Sequence, residues 1–143
     1  MKNAAFSLLQ TVAAVSLVFA IAAGAEAQRR SERDVRDAVR SLNSKLDDVD
    51  AELRYQLDSN SGDRGQMDDL ADDIRELRDR IKLFQENFER HRENRDDVNA
   101  IIDGARPIDA FMNSYPQNRR DEDDWRDVRA QIDRLASNYG VTA

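Results

Sequence analysis

Residues 35–53, VRDAVRSLNSKLDDVDAEL, place Val35, Val39, Leu42, Leu46, Val49 and Leu53 at alternating steps of four and three. That spacing keeps one apolar row on one side of an α-helix and is the signature of lengthwise packing against a second helix. The partner row follows in residues 67–88, MDDLADDIRELRDRIKLFQENF, with Met67, Leu70, Ile74, Leu77, Ile81, Phe84 and Phe88 again at steps of three and four. Between the rows stands Asn60-Ser61-Gly62, which is turn chemistry. Two long helices joined by so short a turn must run antiparallel. Ser31 with Asp34 is predicted to cap the first helix, and Asp63 with Gln66 the second.

Beyond Phe88 the row changes character. His91 and Arg95 take its next two positions, and a new apolar group follows at Val98, Ile101, Ile102 and Ala105. Either the helix breaks near Asn94, with Asn94 and Asp97 capping a new one, or it runs on while turning another face inward. The continuous form gives a hairpin over residues 31–104. Gly104 and Pro107 then predict a stop, since proline lacks the N–H that a helix interior needs. A short helix over 107–115 presents Ile108, Phe111 and Met112, and Tyr115-Pro116-Gln117-Asn118 reads as a connector. The last helix, over 121–139, opens on Asp121-Glu122-Asp123-Asp124, where negative charge meets the positive end of the helix dipole. Trp125, Val128, Ile132, Leu135 and Tyr139 form its apolar face, with Trp125 as anchor, and Gly140 ends it. The expected fold is all-α: an antiparallel long-helix hairpin, coiled-coil-like, closed by a short helix and a C-terminal amphipathic helix into a three- to four-helix bundle.

Upstream of the bundle the chain carries an address. Lys2 precedes an apolar stretch from about Val12 to Ala23, and Ala25-Glu26-Ala27 supplies the small-x-small pattern of a cleavage site. Residues 1–27 are therefore predicted to be a signal peptide, with a mature domain over 28–143 that is periplasmic or secreted. A retained anchor fits less well, because Ser7, Gln10, Thr11 and Ser16 interrupt the stretch and Arg29, Arg30 and Arg33 lie on its far side. The chain has no cysteine, so packing must stabilise it without disulfides. Its formal charge of −7 disfavours nucleic acid and anionic lipid as partners.

The C-terminal order Val98-x-x-Ile101, Ile108-Asp109-x-Phe111-Met112, then Asp124-Trp125-x-x-Val128-Arg129-x-x-Ile132-Asp133-x-Leu135-Ala136-x-x-Tyr139-x-Val141 resembles a group of uncharacterised exported all-helical proteins of Gram-negative bacteria. The resemblance covers roughly residues 98–141 and implies an exported helical domain, with no activity attached. Members of the group tend to finish in an aromatic residue, whereas this chain finishes Val141-Thr142-Ala143, so no role is carried onto those positions.

Catalytic chemistry has little to stand on. His91 is the single histidine. As a ligand or general base it would need neighbours on its own helical face, and Glu89 and Glu93, two residues away, do not share that face. Its structural reading is a partly buried or bundle-end residue of the seam. The acidic runs Asp47-Asp48-Val49-Asp50, Asp68-Asp69 with Asp72-Asp73, and Asp121 to Asp124 lack the alternating ligands, central glycine and distal glutamate of a calcium loop. They read as solvated faces pairing with Arg54 and Arg75, and as a helix start. Arg90, Arg92 and Arg95 form a local basic group neutralised by neighbouring acids. No serine is paired with His91 by any motif, so an enzyme is not expected, nor any cofactor or metal. There remains a non-catalytic envelope protein that binds another protein or itself, with His91, Phe111, Met112 and Trp125 as candidate surface residues. The alternative is a periplasmic binder of metal ions or a small ligand in a groove near His91.

Overall fold

A computed structural model describes residues 31–55, 64–114 and 119–143. The leader over 1–27, the turn at Asn60-Ser61-Gly62, the cap at Asp63 and the connector Tyr115–Asn118 lie outside the described residues. The chain divides into residues 1–34 and 35–143, and the account below concerns the second unit. The described residues form α-helices: α1 over residues 31–55, which enters the second unit at Val35, α2 Arg64–Glu89, α3 Arg95–Ser114 and α4 Arg119–Asn138. Among the described residues there is no strand. The all-α bundle expected from the apolar spacing is the fold observed.

Both seams are core. Val35, Val39, Leu42, Leu46, Val49 and Leu53 of α1 are buried, as are Leu70, Ile74, Leu77, Ile81 and Phe84 of α2. Each such side chain contributes roughly 1.5–3 kcal/mol by leaving water. The two rods are antiparallel: Asn43 meets Gln85, Asp50 meets Arg78, and Leu53 lies beside Ala71 and Ile74. Helix α3 returns along α2, with the Asn87 amide donating to Asp97 at 2.7 Å and the Arg80 guanidinium to the Ala100 carbonyl at 2.8 Å. Gly104 permits that approach, because a Cβ there would stand 2.8 Å from Arg80 Cδ. Helix α4 closes the bundle through Trp125, Val128, Ile132, Leu135 and Ala136, and Lys45 of α1 reaches Asp127 at 2.8 Å.

Several boundaries differ from the expectation. The helix is not continuous through 91–98, so the hairpin ends at Glu89 and not at 104. The N–H of Arg92 bonds the Asn87 carbonyl at 3.0 Å and that of His91 bonds Phe88 at 3.1 Å, while His91 adopts φ 51°. This is a Schellman cap with histidine in the left-handed position usually held by glycine. The same motif closes α4, where Gly140 sits at φ 61° and Val141 N–H reaches the Ala136 carbonyl. Asn94 is buried and its carbonyl accepts the first α3 bond, from Val98 N–H at 3.2 Å, with Asp96 and Asp97 in the first turn. The cap proposed at Asn94 is thus the one used.

Pro107 does not stop α3, and the short helix over 107–115 is the second half of α3. Proline removes the bond to the Asp103 carbonyl. Asp103, Arg106 and Pro107 are all exposed, so water can satisfy that carbonyl while Ala105 and Ile108 stay in the core. Ser31, expected as the α1 cap, is already helical.

A left-handed residue with a Cβ costs about 1 kcal/mol relative to glycine. His91→Gly is therefore expected to raise the urea midpoint without changing the slope, and His91→Val to lower it.

Candidate functional site

The four residues singled out from sequence are not brought together. His91 is exposed on the connection between α2 and α3. Phe111 lies sixteen residues along α3 from Arg95, roughly 24 Å away by helical rise. Phe111 and Met112 are half-buried and packed on the core, and Trp125 is 5% exposed. Trp125 is therefore an anchor and not a contact surface. Its indole N–H donates to Asp109 Oδ1 at 2.8 Å, and Arg129 Nε approaches the same oxygen at 3.6 Å.

The acidic runs divide between a solvated face at Asp72 and a contact between helices at Asp50. Asp50 pairs with Arg54 at 3.1 Å, and Asp72 pairs with Arg75 within α2. Asp73 has its pKa raised, first by burial and then by Glu76, Asp69 and Asp72. Among the described residues no three of His, Cys, Asp and Glu are placed to hold a metal ion. Nor is any helix among them long and apolar enough to cross a membrane.

The open relief of the molecule lies elsewhere, on the outer side of the α1/α2 seam. One groove of about 490 Å³ has Val35, Val39, Phe84 and Phe88 for its floor, with Arg36, Arg40 and Asn43 on one wall and Gln85 and Glu89 on the other. The Arg36 guanidinium lies 5.8 Å from the centre of the Phe88 ring, which stacks on Phe84 at 5.9 Å. Tyr139 meets Phe84 edge-on at 5.7 Å, so the floor is tied to the end of α4. A second groove of about 300 Å³ lies further along the same seam, between Asp50, Leu53 and Arg54 on α1 and Ala71, Ile74, Arg75 and Arg78 on α2.

A polar bridge separates the two. Arg78 donates to Asp50 at 3.2 Å, to Asp47 at 2.7 Å and to the Leu46 carbonyl at 3.3 Å, and Asn43 donates to Gln85 at 3.4 Å. Asp50 is the most enclosed acid of this set, its side chain 17% exposed. The bridge fixes the register of the hairpin between the two grooves. Where the grooves lie was not legible in the apolar spacing. Their signal is the residue one position after each seam residue, which in a heptad lines the edge of the contact.

Comparison with protein families, with characterised proteins and with solved structures finds no match to this chain.

Two consequences can be measured. Removing the acceptor in Asp109→Ala leaves the Trp125 N–H orphaned in the core and should cost about 1–3 kcal/mol, with Asp109→Asn recovering most of it in the same melts. Tyr139 has its pKa raised from the usual phenol value by burial, the hydrogen bond with the Asn94 side chain working the other way. A raised folded value means that the phenol's contribution is intact below the unfolded pKa and is lost as pH climbs through the folded one. Between about pH 8 and pH 11 the wild type should therefore lose more stability than Tyr139→Phe, measured by urea unfolding at each pH.

Proposed function

We propose that this chain is an exported, non-catalytic helical protein of the cell envelope that acts by protein–protein contact through its helical faces. The observation that carries it is the outer α1/α2 seam. Half-buried Phe88 edges an open groove there, walled by Arg36, Arg40, Gln85 and Glu89 above the buried Val35, Val39 and Phe84. With Tyr55 and Leu83 also exposed on α1 and α2, the longest helices keep apolar side chains that a partner could cover. Support for export is the leader pattern over residues 1–27, and it is independent of the bundle.

The competing reading, a periplasmic binder of metal ions or a small ligand, has one observation in its favour. At about 490 Å³ the larger groove falls within the roughly 300–1,000 Å³ range of small-ligand pockets. It is open to solvent, however, and walled by the long side chains of Arg36 and Arg40, which suits a macromolecular surface better than an enclosed ligand.

The test has two parts. Mass spectrometry of the chain recovered from the periplasmic fraction should give a first residue of Gln28, and a membrane-bound product retaining Met1 would defeat the export reading. A photo-crosslinking amino acid placed in turn at exposed positions of all four helices, such as Arg40 of α1 or Leu83 of α2, should yield protein adducts in living cells. Complete absence of adducts, with the folded chain present, would defeat protein contact.

A further inference from the structure

Among the described residues of α2, Leu83 is the large apolar side chain left in water, 52% exposed. It lies between two ties to α3. Arg80, three residues before it, donates to the Ala100 carbonyl, and Asn87, four residues after it, donates to Asp97. Positions three and four apart share a helix face, so Leu83 borders the first turns of α3. On α3, Asp97 and Gly104 face α2, and Ala100, Pro107 and half-buried Phe111 follow along that side. From Ala100 to Phe111 is eleven residues, roughly 16 Å of apolar stripe. Pro107 is exposed, and its missing N–H leaves the Asp103 carbonyl beside it without a helical donor.

Acids rim this stripe. Arg75, Arg80 and Arg106 are each paired with an acid of their own helix, Asp72, Glu76 and Asp103. Among the described residues of the two edges, that leaves Asp69, Asp73, Asp79 and Glu86 on α2 and Asp96 and Asp97 on α3, against Arg90 and Lys82. Asp73 registers the crowding: its pKa is raised by burial first, then by Glu76, Asp69 and Asp72.

We propose that the outer edge of α2 and α3 docks a basic amphipathic helix of another protein, its apolar row on Leu83, Ala100 and Pro107 and its Lys or Arg side chains among the flanking acids. The inference rests on the protein-contact reading above and adds which face is used and the charge of the partner. The edge consists of helix side chains, so a partner must satisfy its own backbone groups, which a helix does and an extended peptide does not. The backbone group on offer, the Asp103 carbonyl, is an acceptor and suits the donors of Lys and Arg. A second copy of this chain fits poorly, because a two-fold contact would set Asp79 and Asp96 against the same acids. Anionic lipid is repelled for the same reason. A metal ion lacks a cage, since among the described residues no three of His, Cys, Asp and Glu are placed to hold one.

The decisive measurement is fluorescence anisotropy of the mature protein with a labelled eighteen-residue helical peptide carrying a leucine heptad row flanked by lysines. Its counterpart with glutamates for the lysines, and vesicles of phosphatidylglycerol, complete the set. The lysine peptide should bind, more weakly as salt rises, and the other two should not. Reversing two exposed acids of the edge, Asp79→Lys with Asp96→Lys, should weaken that binding at least about tenfold, and Leu83→Ser should weaken it as well. Asp48→Lys with Asp133→Lys, two exposed acids of α1 and α4, makes the same change in net charge and should leave the affinity within about twofold. Circular dichroism confirms that each variant is folded. Failure of the lysine peptide to bind, equal binding of both peptides, or preference for the vesicles would each overturn the proposal. So would Leu83→Ser without effect, or a loss as large from the α1 and α4 pair as from the edge pair. Should the peptide fail while adducts in cells map to α1 or α4, this face and its partner chemistry fail and the protein-contact reading stands.

Discussion

Withdrawal of Leu42, Leu46, Leu77 and Ile81 from water along the α1/α2 contact is the constraint on which the other elements depend. All four side chains are fully buried, and they sit at the middle of two rods whose helical propensity alone would not hold them in water. Once that contact forms, the two rods present a continuous trough. Helices α3 and α4 have only to lay their own apolar faces into it. The heptad spacing makes the rods straight neighbours over most of their length, so the flanking side chains become ordered too. The Arg78 bridge to Asp47 and Asp50 exists because the seam places those groups opposite each other, not because the charges created the seam.

Helix ends are governed by a different physics, local backbone accounting. Three of the observed ends use recognisable chemistry: Asn94 starts α3, Gly140 finishes α4, and a Schellman cap finishes α2. Gly140 could be read from sequence because glycine is the residue that enters the left-handed region without strain. His91 could not, since nothing in its side chain announces a positive φ. Its neighbours do: the apolar row lapses after Phe88, and a buried Asn94 is worth more as a cap than as a passenger inside a continuous helix. Pro107 misled in the opposite direction. Proline lacks one donor, but the cost depends on where the orphaned carbonyl lies, and here Asp103 and Pro107 are on the exposed side of α3. Only the orientation of α3 against α2 decides that.

The functional surface was less legible than the fold. Trp125 draws attention as the one tryptophan, yet its indole is anchored inside by Asp109. Phe111 and Met112 lie far along α3 from His91, so a surface containing all of them does not exist. By contrast Arg36, Arg40, Lys82 and Gln85 look unremarkable in the sequence, being four polar residues among many. They acquire meaning once α1 and α2 are paired and those positions line one edge.

The sequence by itself determined that the chain is helical, which residues form the two seams, that the rods are antiparallel, and that Trp125 with its row makes the closing helix. Periodicity carries these facts because a helix has a fixed pitch, so spacing along the chain translates directly into a face. The tertiary structure alone decided the break at His91, the passage of α3 through Pro107, and the close approach of α2 and α3 at Gly104. It also decided which edge of the hairpin stays open. Small buried residues such as Ala38, Ala105 and Ala136 let neighbouring helices close on one side, yet contribute almost nothing to an apolar pattern. Whether a side chain borders a groove or a neighbour depends on the arrival of another helix, and no local spacing encodes that.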